Sequence, residues 1–156
     1  MALRQRNPKV QIALADVPGA ALFNYYTDGE LRAEGTSITE GIGQGRITAN
    51  LEGLDVDHAF LIPDEEMLRT VYSMIEDEGL ALGTSSGVNV AGAIRLAREL
   101  GPGKTIVTML CDTAARYQSR LFNAEFLRSK GLPLAPWLEK PADIQPDFIS
   151  LEEQTQ

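Results

Sequence analysis

Two short stretches carry the residue types that chemistry needs. Gly83-Thr84-Ser85-Ser86-Gly87 sets hydroxyls between two glycines at the expected start of a helix. Backbone N–H groups at such a start attract an anion or another hydrogen-bond acceptor. The same residues also read as a serine N-cap between flexible glycines, which needs no ligand. Arg116-Tyr117 follows an apolar run, where a guanidinium could recognise a carboxylate or a phosphate. It could equally cap a sheet edge or pair with one of the 22 acids.

Other candidates are weaker. Gly41-Ile42-Gly43-Gln44-Gly45 invites a dinucleotide reading, but that fingerprint must follow a strand and open a helix. Arg46-Ile47-Thr48-Ala49-Asn50 signals no helix, so a glycine-rich turn with close backbone approach is expected. Cys111 ends an apolar run, and such a cysteine usually serves as a small buried hydrophobe. The single histidine, His58, could join it as a nucleophile pair only through a long-range contact.

The elements that position these residues follow an α/β pattern. Val10–Val17 reads as a buried strand between Pro8 and Pro18. Residues 19–57 read mostly as loop, with a short helix near 20–27. Ala59–Ile62 reads as a strand, and Pro63-Asp64-Glu65-Glu66 opens a helix with acids facing the positive end of its dipole. Met67, Val71 and Met74/Ile75 form its apolar stripe, and Gly79 is its C′ residue. A second helix follows Gly87, with Val90, Ala93, Ile94, Ala97 and Leu100 inward and Arg95, Arg98 and Glu99 outward. Thr105–Leu110 (TIVTML) is the clearest strand, expected at the centre of a parallel sheet. A helix near 118–130 should bury Leu121, Phe122 and Phe126 until Gly131 and Pro133 end it. The fold class expected is therefore α/β, a parallel, mixed-edge twisted sheet with helices on both faces. Ligands in such sheets sit at the carboxyl ends of the strands, where the loops 83–87 and 111–117 fall. Residues 1–135 form the expected domain, and 136–156 a proline-rich extended tail.

Composition narrows the function classes. The 156 residues carry 14 Lys+Arg and 22 Asp+Glu, a net charge of −8. That balance argues against nucleic acid and against an anionic membrane surface, since both are bound through Lys and Arg. One cysteine excludes an intramolecular disulfide, and one histidine excludes a Cys/His zinc cluster of about four ligands. No metal site is expected. The N-terminus has no apolar run after its arginines, and no stretch reaches the roughly 18 apolar residues of a membrane helix. A cytoplasmic protein is the default expectation.

Three motifs in order carry a resemblance. Glu40-Gly41-Ile42-Gly43, then Gly79-Leu80-Ala81-Leu82-Gly83-Thr84-Ser85-Ser86-Gly87, then Arg116-Tyr117-Gln118-Ser119 with Leu121-Phe122 are similar to cysteine synthase (O-acetylserine sulfhydrylase). That family is of the fold-type-II pyridoxal-phosphate enzymes. Residues 122–133 resemble bacterial members in particular. The resemblance runs from about residue 3 to about 138 and covers only the C-terminal part of the family.

The resemblance implies pyridoxal 5′-phosphate as cofactor, a place in the larger domain, and formation of cysteine from O-acetylserine and sulfide. Ser85 matches the serine that bonds the pyridine nitrogen, with Ser86 as the alternative if the register slips by one. Gly41, Ile42 and Gly43 match a segment near the cofactor face, and Gly83, Thr84 and Asp112 complete the expected cofactor-contacting set. A hydroxyl leaves the ring a weaker electron sink than an aspartate would, which suits β-elimination followed by thiol addition.

The family's Schiff-base lysine has no counterpart. Lys9, Lys104, Lys130 and Lys140 all stand in contexts that would not depress a lysine pKa. No catalytic residue is therefore assigned, and the chain alone is expected to be inactive. Implied partners are the missing N-terminal half or a homodimer mate, and the C-terminal peptide of serine acetyltransferase. Ala114-Ala115 replaces a family glycine two residues before the Arg-Tyr pair, which would strain a loop that needs positive φ. Two rival expectations stand: a non-catalytic binding module of the same fold, or a piece of another fold-type-II enzyme such as a cystathionine β-synthase.

Overall fold

The computed structural model describes residues 2–139. Lys140 and the tail from 140 to 156 lie outside the described residues. The elements in chain order are α1 (Ala2–Arg6), β1 (Ala13–Asp16), α2 (Leu22–Asp28), β2 (His58–Leu61), α3 (Asp64–Glu78), α4 (Thr84–Leu100), a 3₁₀ turn over Ala114–Tyr117, α5 (Gln118–Leu121), α6 (Ala124–Ser129) and α7 (Pro136–Glu139). The two strands pair in parallel with Ala13 opposite His58 and Asp16 opposite Leu61. The result is a helix-rich α/β frame around a small parallel sheet. Among the described residues no helix is long and apolar enough to cross a membrane.

The core is built where α3 and α4 meet the carboxyl ends of the strands. Ile62, Met67, Leu68, Val71, Val88, Leu121 and Leu127 are fully buried there. Pro63 precedes α3 and Asp64, Glu65 and Glu66 fill its first turn, as expected from the dipole. Gly79 ends it at φ 67°, its N–H returning to Ile75 and Met74. An ion pair clamps α4 to α3: the Arg95 guanidinium holds the Glu66 carboxylate, and its Nη1 donates to the Leu61 carbonyl at 3.1 Å.

The buried face of α4 differs from the expected one. Thr84, Gly87, Val88, Ala91, Gly92 and Leu96 are inside, whereas Ile94 is 40% exposed and Ala97 is exposed. Glycine decides this. A Cβ on Gly87 would stand 2.6 Å from Val71 Cγ2, and one on Gly92 would stand 2.6 Å from Ala15 Cβ. The helix therefore presses its smallest residues against its neighbours, and large apolar residues are left elsewhere.

Three further expectations are corrected. Thr105–Leu110 joins no ladder among the described residues; Val107 is 86% exposed and Met109 69%. The single helix near 118–130 is broken at Phe122-Asn123, because the Asn123 side chain accepts the Phe126 N–H at 3.0 Å and starts α6 afresh. The tail does not begin as extended chain. Pro136–Glu139 forms a helical turn that brings Trp137 edge-on to Tyr72, with ring centroids 5.7 Å apart.

Candidate active site

The carboxyl end of the sheet opens into a cleft of about 680 Å³. Asp16, Gly41, Ile42, Gly43, Ser85 and Asp112 line it, with Asn89, Cys111, Arg116 and Tyr117. The three motifs far apart in sequence thus meet on one concavity.

The serine-rich start of α4 is positioned by the segment after Leu110. The Cys111 N–H donates to Ser86 Oγ at 2.9 Å, and the Gly83 N–H donates to the Asp112 carbonyl at 2.9 Å. Leu82 and Thr113 form an isolated antiparallel bridge beside them. Ser86 is fully buried, and its oxygen accepts this N–H. Ser85, half-buried, faces the cleft with no side-chain hydrogen bond to a described residue. The two serines named together by sequence therefore have different surroundings, set by the 100° between successive helical residues.

Gly83 and Thr84 lie behind the cleft wall. A Cβ on Gly83 would collide with Asp112 and stand 2.6 Å from Tyr117 Cε2, so only glycine lets the two segments zip together. Thr84 is fully buried, and its hydroxyl has no partner among the described residues. Asp112 accepts the Tyr117 hydroxyl proton on Oδ2 at 2.6 Å, while its Oδ1 is buried without a partner. That acceptor, with burial second, holds the Tyr117 hydroxyl above the usual phenol range.

The glycine loop is held from two sides. Arg120 donates to the Ile38 carbonyl at 2.8 Å and pairs with Glu40. Asp64, at the head of α3, accepts the Ile38 N–H at 2.9 Å. Gly43, at φ 92°, lies so close to the segment between β1 and α2 that a Cβ would stand 2.9 Å from Ala20 Cβ. No helix follows this loop before β2, as expected. Gly41, at φ 71°, has open space where a Cβ would be.

Asp16 was not singled out in the sequence, though an acid ending an apolar strand at the carboxyl end of a parallel sheet is a usable signal. It is 3% exposed and accepts the Val17 and Phe23 N–H groups at 3.0 Å each. Burial raises its carboxyl above the usual range, against the lowering by those backbone bonds. Asn89 was also missed; its Nδ2 donates to the Met109 carbonyl at 3.0 Å.

Other expectations are placed elsewhere. His58 hydrogen-bonds Glu99 through Nδ1 at 2.9 Å, stacks near Phe60 and does not line the cleft. Cys111 is exposed rather than buried, since the segment it ends is not in the sheet. Lys9, Lys104 and Lys130 are exposed and none lines the cleft. Ala114 causes no strain: it is 1% exposed, its N–H donates to the Ala81 carbonyl, and no described non-glycine residue has positive φ.

Comparison with known proteins places this geometry. The family described as pyridoxal-phosphate dependent enzyme matches residues 1–112. Cysteine synthase 1 of Neurospora crassa is 48% identical over 128 residues, 80% of this chain and 34% of that protein. An O-acetylserine dependent cystathionine β-synthase of Bacillus subtilis is 32% identical over 118 residues, 76% of this chain and 36% of that protein. The crystal structure of O-acetylserine dependent cystathionine β-synthase from Helicobacter pylori superposes with a TM-score of 0.67 at 30% identity, over 76% of this chain and 36% of that one. The chain thus spans about a third of the length of the relatives it matches. Matched by that family over most of its length and sharing its α/β frame, the chain belongs to the pyridoxal-phosphate dependent enzymes of fold type II.

Proposed function

We propose that this chain forms the ring-nitrogen wall of a cysteine synthase active site. The observation that carries the reading is the division of labour between adjacent serines: Ser86 is fully buried, its oxygen accepting the Cys111 N–H, and Ser85 lines the cleft. The lining residues fit one edge of pyridoxal phosphate. They supply a neutral hydroxyl for a pyridine nitrogen and, at Gly41, backbone with open space where a Cβ would be, for a flat ring to lie against. They supply no lysine and no second glycine-rich phosphate cradle.

Bound pyridoxal phosphate supplies the electron sink for loss of acetate from O-acetylserine and addition of sulfide in its place. Ser85 would orient the ring through a hydrogen bond from its hydroxyl to the ring nitrogen, the proton staying on the serine so that no charge is placed on the ring. Ser86 and Gly83 hold Ser85 in position by fastening the start of α4 to residues 111–112. The Arg120 and Asp64 contacts hold the glycine loop across the cleft. Asp112, its Oδ2 engaged by Tyr117, keeps an acceptor beside the Ser85 turn.

The test is cysteine formation from O-acetylserine and sulfide with pyridoxal phosphate. The chain alone is expected to give none. Together with the part of the Neurospora enzyme that the match leaves uncovered, it is expected to turn over. Ser85→Ala should lower kcat/KM by about tenfold, the loss of one hydrogen bond to the cofactor. Turnover by the chain alone, or an unaffected Ser85→Ala, would refute the reading. The similarity to cystathionine β-synthases favours a second reading, a larger thiol in place of sulfide. Homocysteine in the same assay separates the two.

A further inference from the structure

Residues 111–117 lie against the start of α4 as a clasp. The Gly83 N–H donates to the Asp112 carbonyl at 2.9 Å, the Ala114 N–H to the Ala81 carbonyl at 3.1 Å, and the Cys111 N–H to Ser86 Oγ at 2.9 Å. These three bonds form a seam beside the turn that carries Ser85. The N-cap of α4 is Gly83, and no side-chain cap completes it. The first turn therefore takes its placement from the clasp rather than from a cap of its own.

One side chain closes the clasp. The Tyr117 hydroxyl donates to Asp112 Oδ2 at 2.6 Å, a short bond of the kind a carboxylate accepts. The Tyr117 ring, 8% exposed, lies flush on Gly83: a Cβ there would stand 2.6 Å from its Cε2 and 3.2 Å from its Cδ2, and would collide with Asp112 Oδ1 as well. Asp112 Oδ1 is itself buried without a partner among the described residues. Without the Tyr117 proton, neither oxygen of this carboxylate would have a side-chain donor among them. A carboxylate left so, between a helix start and an aromatic ring, turns toward the water of the cleft it lines, and residues 111–113 move with it.

We infer that Tyr117 is a positioning residue for Ser85: its hydroxyl holds Asp112, Asp112 keeps residues 111–113 on the start of α4, and that seam fixes where Ser85 meets the cleft. The ring fills its place with or without the hydroxyl, so Tyr117→Phe removes the hold and keeps the packing. That Ser85 meets a ring nitrogen rests on the proposed function; the seam does not.

The test is amide hydrogen exchange on the full chain. In Tyr117→Phe the Gly83, Cys111 and Ala114 amides should exchange about tenfold faster, while Val71 and Tyr72 in α3 keep their natural rates. Ser85→Ala should leave all five unchanged, since none of the three bonds uses its hydroxyl. Asp112→Asn keeps an acceptor without its charge, so the three amides should quicken by a smaller factor, about threefold. That variant decides if Tyr117→Phe loosens α3 as well. With the chain completed by the uncovered part of the Neurospora enzyme, Tyr117→Phe should lower kcat about tenfold and keep KM for O-acetylserine. The double variant Ser85→Ala with Tyr117→Phe should be no slower than Ser85→Ala, because Tyr117 acts through Ser85. A tyrosine that only stabilised the fold would give losses that multiply. Natural rates at the three amides in Tyr117→Phe, or in Asp112→Asn where that variant decides, would overturn the inference, and so would multiplying losses. Faster exchange along the seam with no turnover in any variant would sink the proposed activity and leave this inference standing. Turnover with an unchanged seam would do the reverse.

Discussion

The Ser86 hydroxyl accepts the Cys111 N–H at 2.9 Å, and this bond ties the first turn of α4 to the segment that carries Asp112, Arg116 and Tyr117. Its partner groups come from positions 25 apart in sequence. Because Ser86 is fixed there, Ser85 is turned into the cleft. Removing the Ser86 hydroxyl leaves a backbone N–H without its acceptor. Ser86→Ala should therefore destabilise the chain by about 1–3 kcal/mol. Ser85→Ala should stay within about 0.5 kcal/mol. Urea denaturation of both variants checks the contrast, and equal effects would contradict it.

Close helix contacts make a second prediction. Gly87→Ala would drive a methyl against Val71 Cγ2 and within 3.0 Å of the Met67 carbonyl oxygen. The helix-propensity gain of about 1 kcal/mol is outweighed by an overpacking cost of about 1–3 kcal/mol. Gly45→Ala meets nothing within 4 Å and has no positive φ, so it should be close to neutral. Thermal melting of the two variants should separate them by several degrees.

Tyr72 gives a pH-dependent prediction. It is 4% exposed, its hydroxyl donates to the Leu121 carbonyl at 2.8 Å, and burial pushes its pKa up to about 12. The unfolded chain releases this proton near 10, so the unfolded state binds fewer protons between 10 and 12. Tyr72 therefore contributes full stability below pH 10 and loses it as pH rises toward 12. The stability difference between the natural chain and Tyr72→Phe should be flat from pH 7 to 9 and shrink above 10. A flat difference through pH 11 would contradict the burial of this hydroxyl.

The glycine loop offers a fourth. Arg120 reaches the Ile38 carbonyl and Glu40 from α5, 82 residues from Ile38. Arg120→Ala should speed hydrogen exchange across residues 38–43 by about tenfold, at a global cost of about 1 kcal/mol. Unchanged exchange there would show that Asp64 alone holds the loop.

Much of the frame was legible in the residues themselves. The start of α3 is local chemistry: proline before the first turn, three acids within it, glycine just past its end. The turn character of residues 41–45 was equally local, because nothing after Gly45 could begin a helix. The gathering of the Gly41, Ser85 and Arg116 motifs was implied by resemblance, and their shared cleft gives it a physical form. The face of α4 was not legible, because apolar periodicity weighs bulk, whereas Gly87 and Gly92 are buried for lack of it. The break at Asn123 was missed because a side-chain cap competes with helix continuation within one turn.

Sequence alone determined which segments are strand-like or helical and which hydroxyls and glycines are candidates. These follow from side-chain chemistry within a few residues. Only the tertiary structure decided that Ser86 is buried against Cys111 while Ser85 lines the cleft, that Asp16 belongs to the cleft, and that Thr105–Leu110 pairs with no strand among the described residues. The reason is physical. Whether a hydroxyl is spent or a strand is paired depends on the group opposite it, and that group is set by the packing of distant segments.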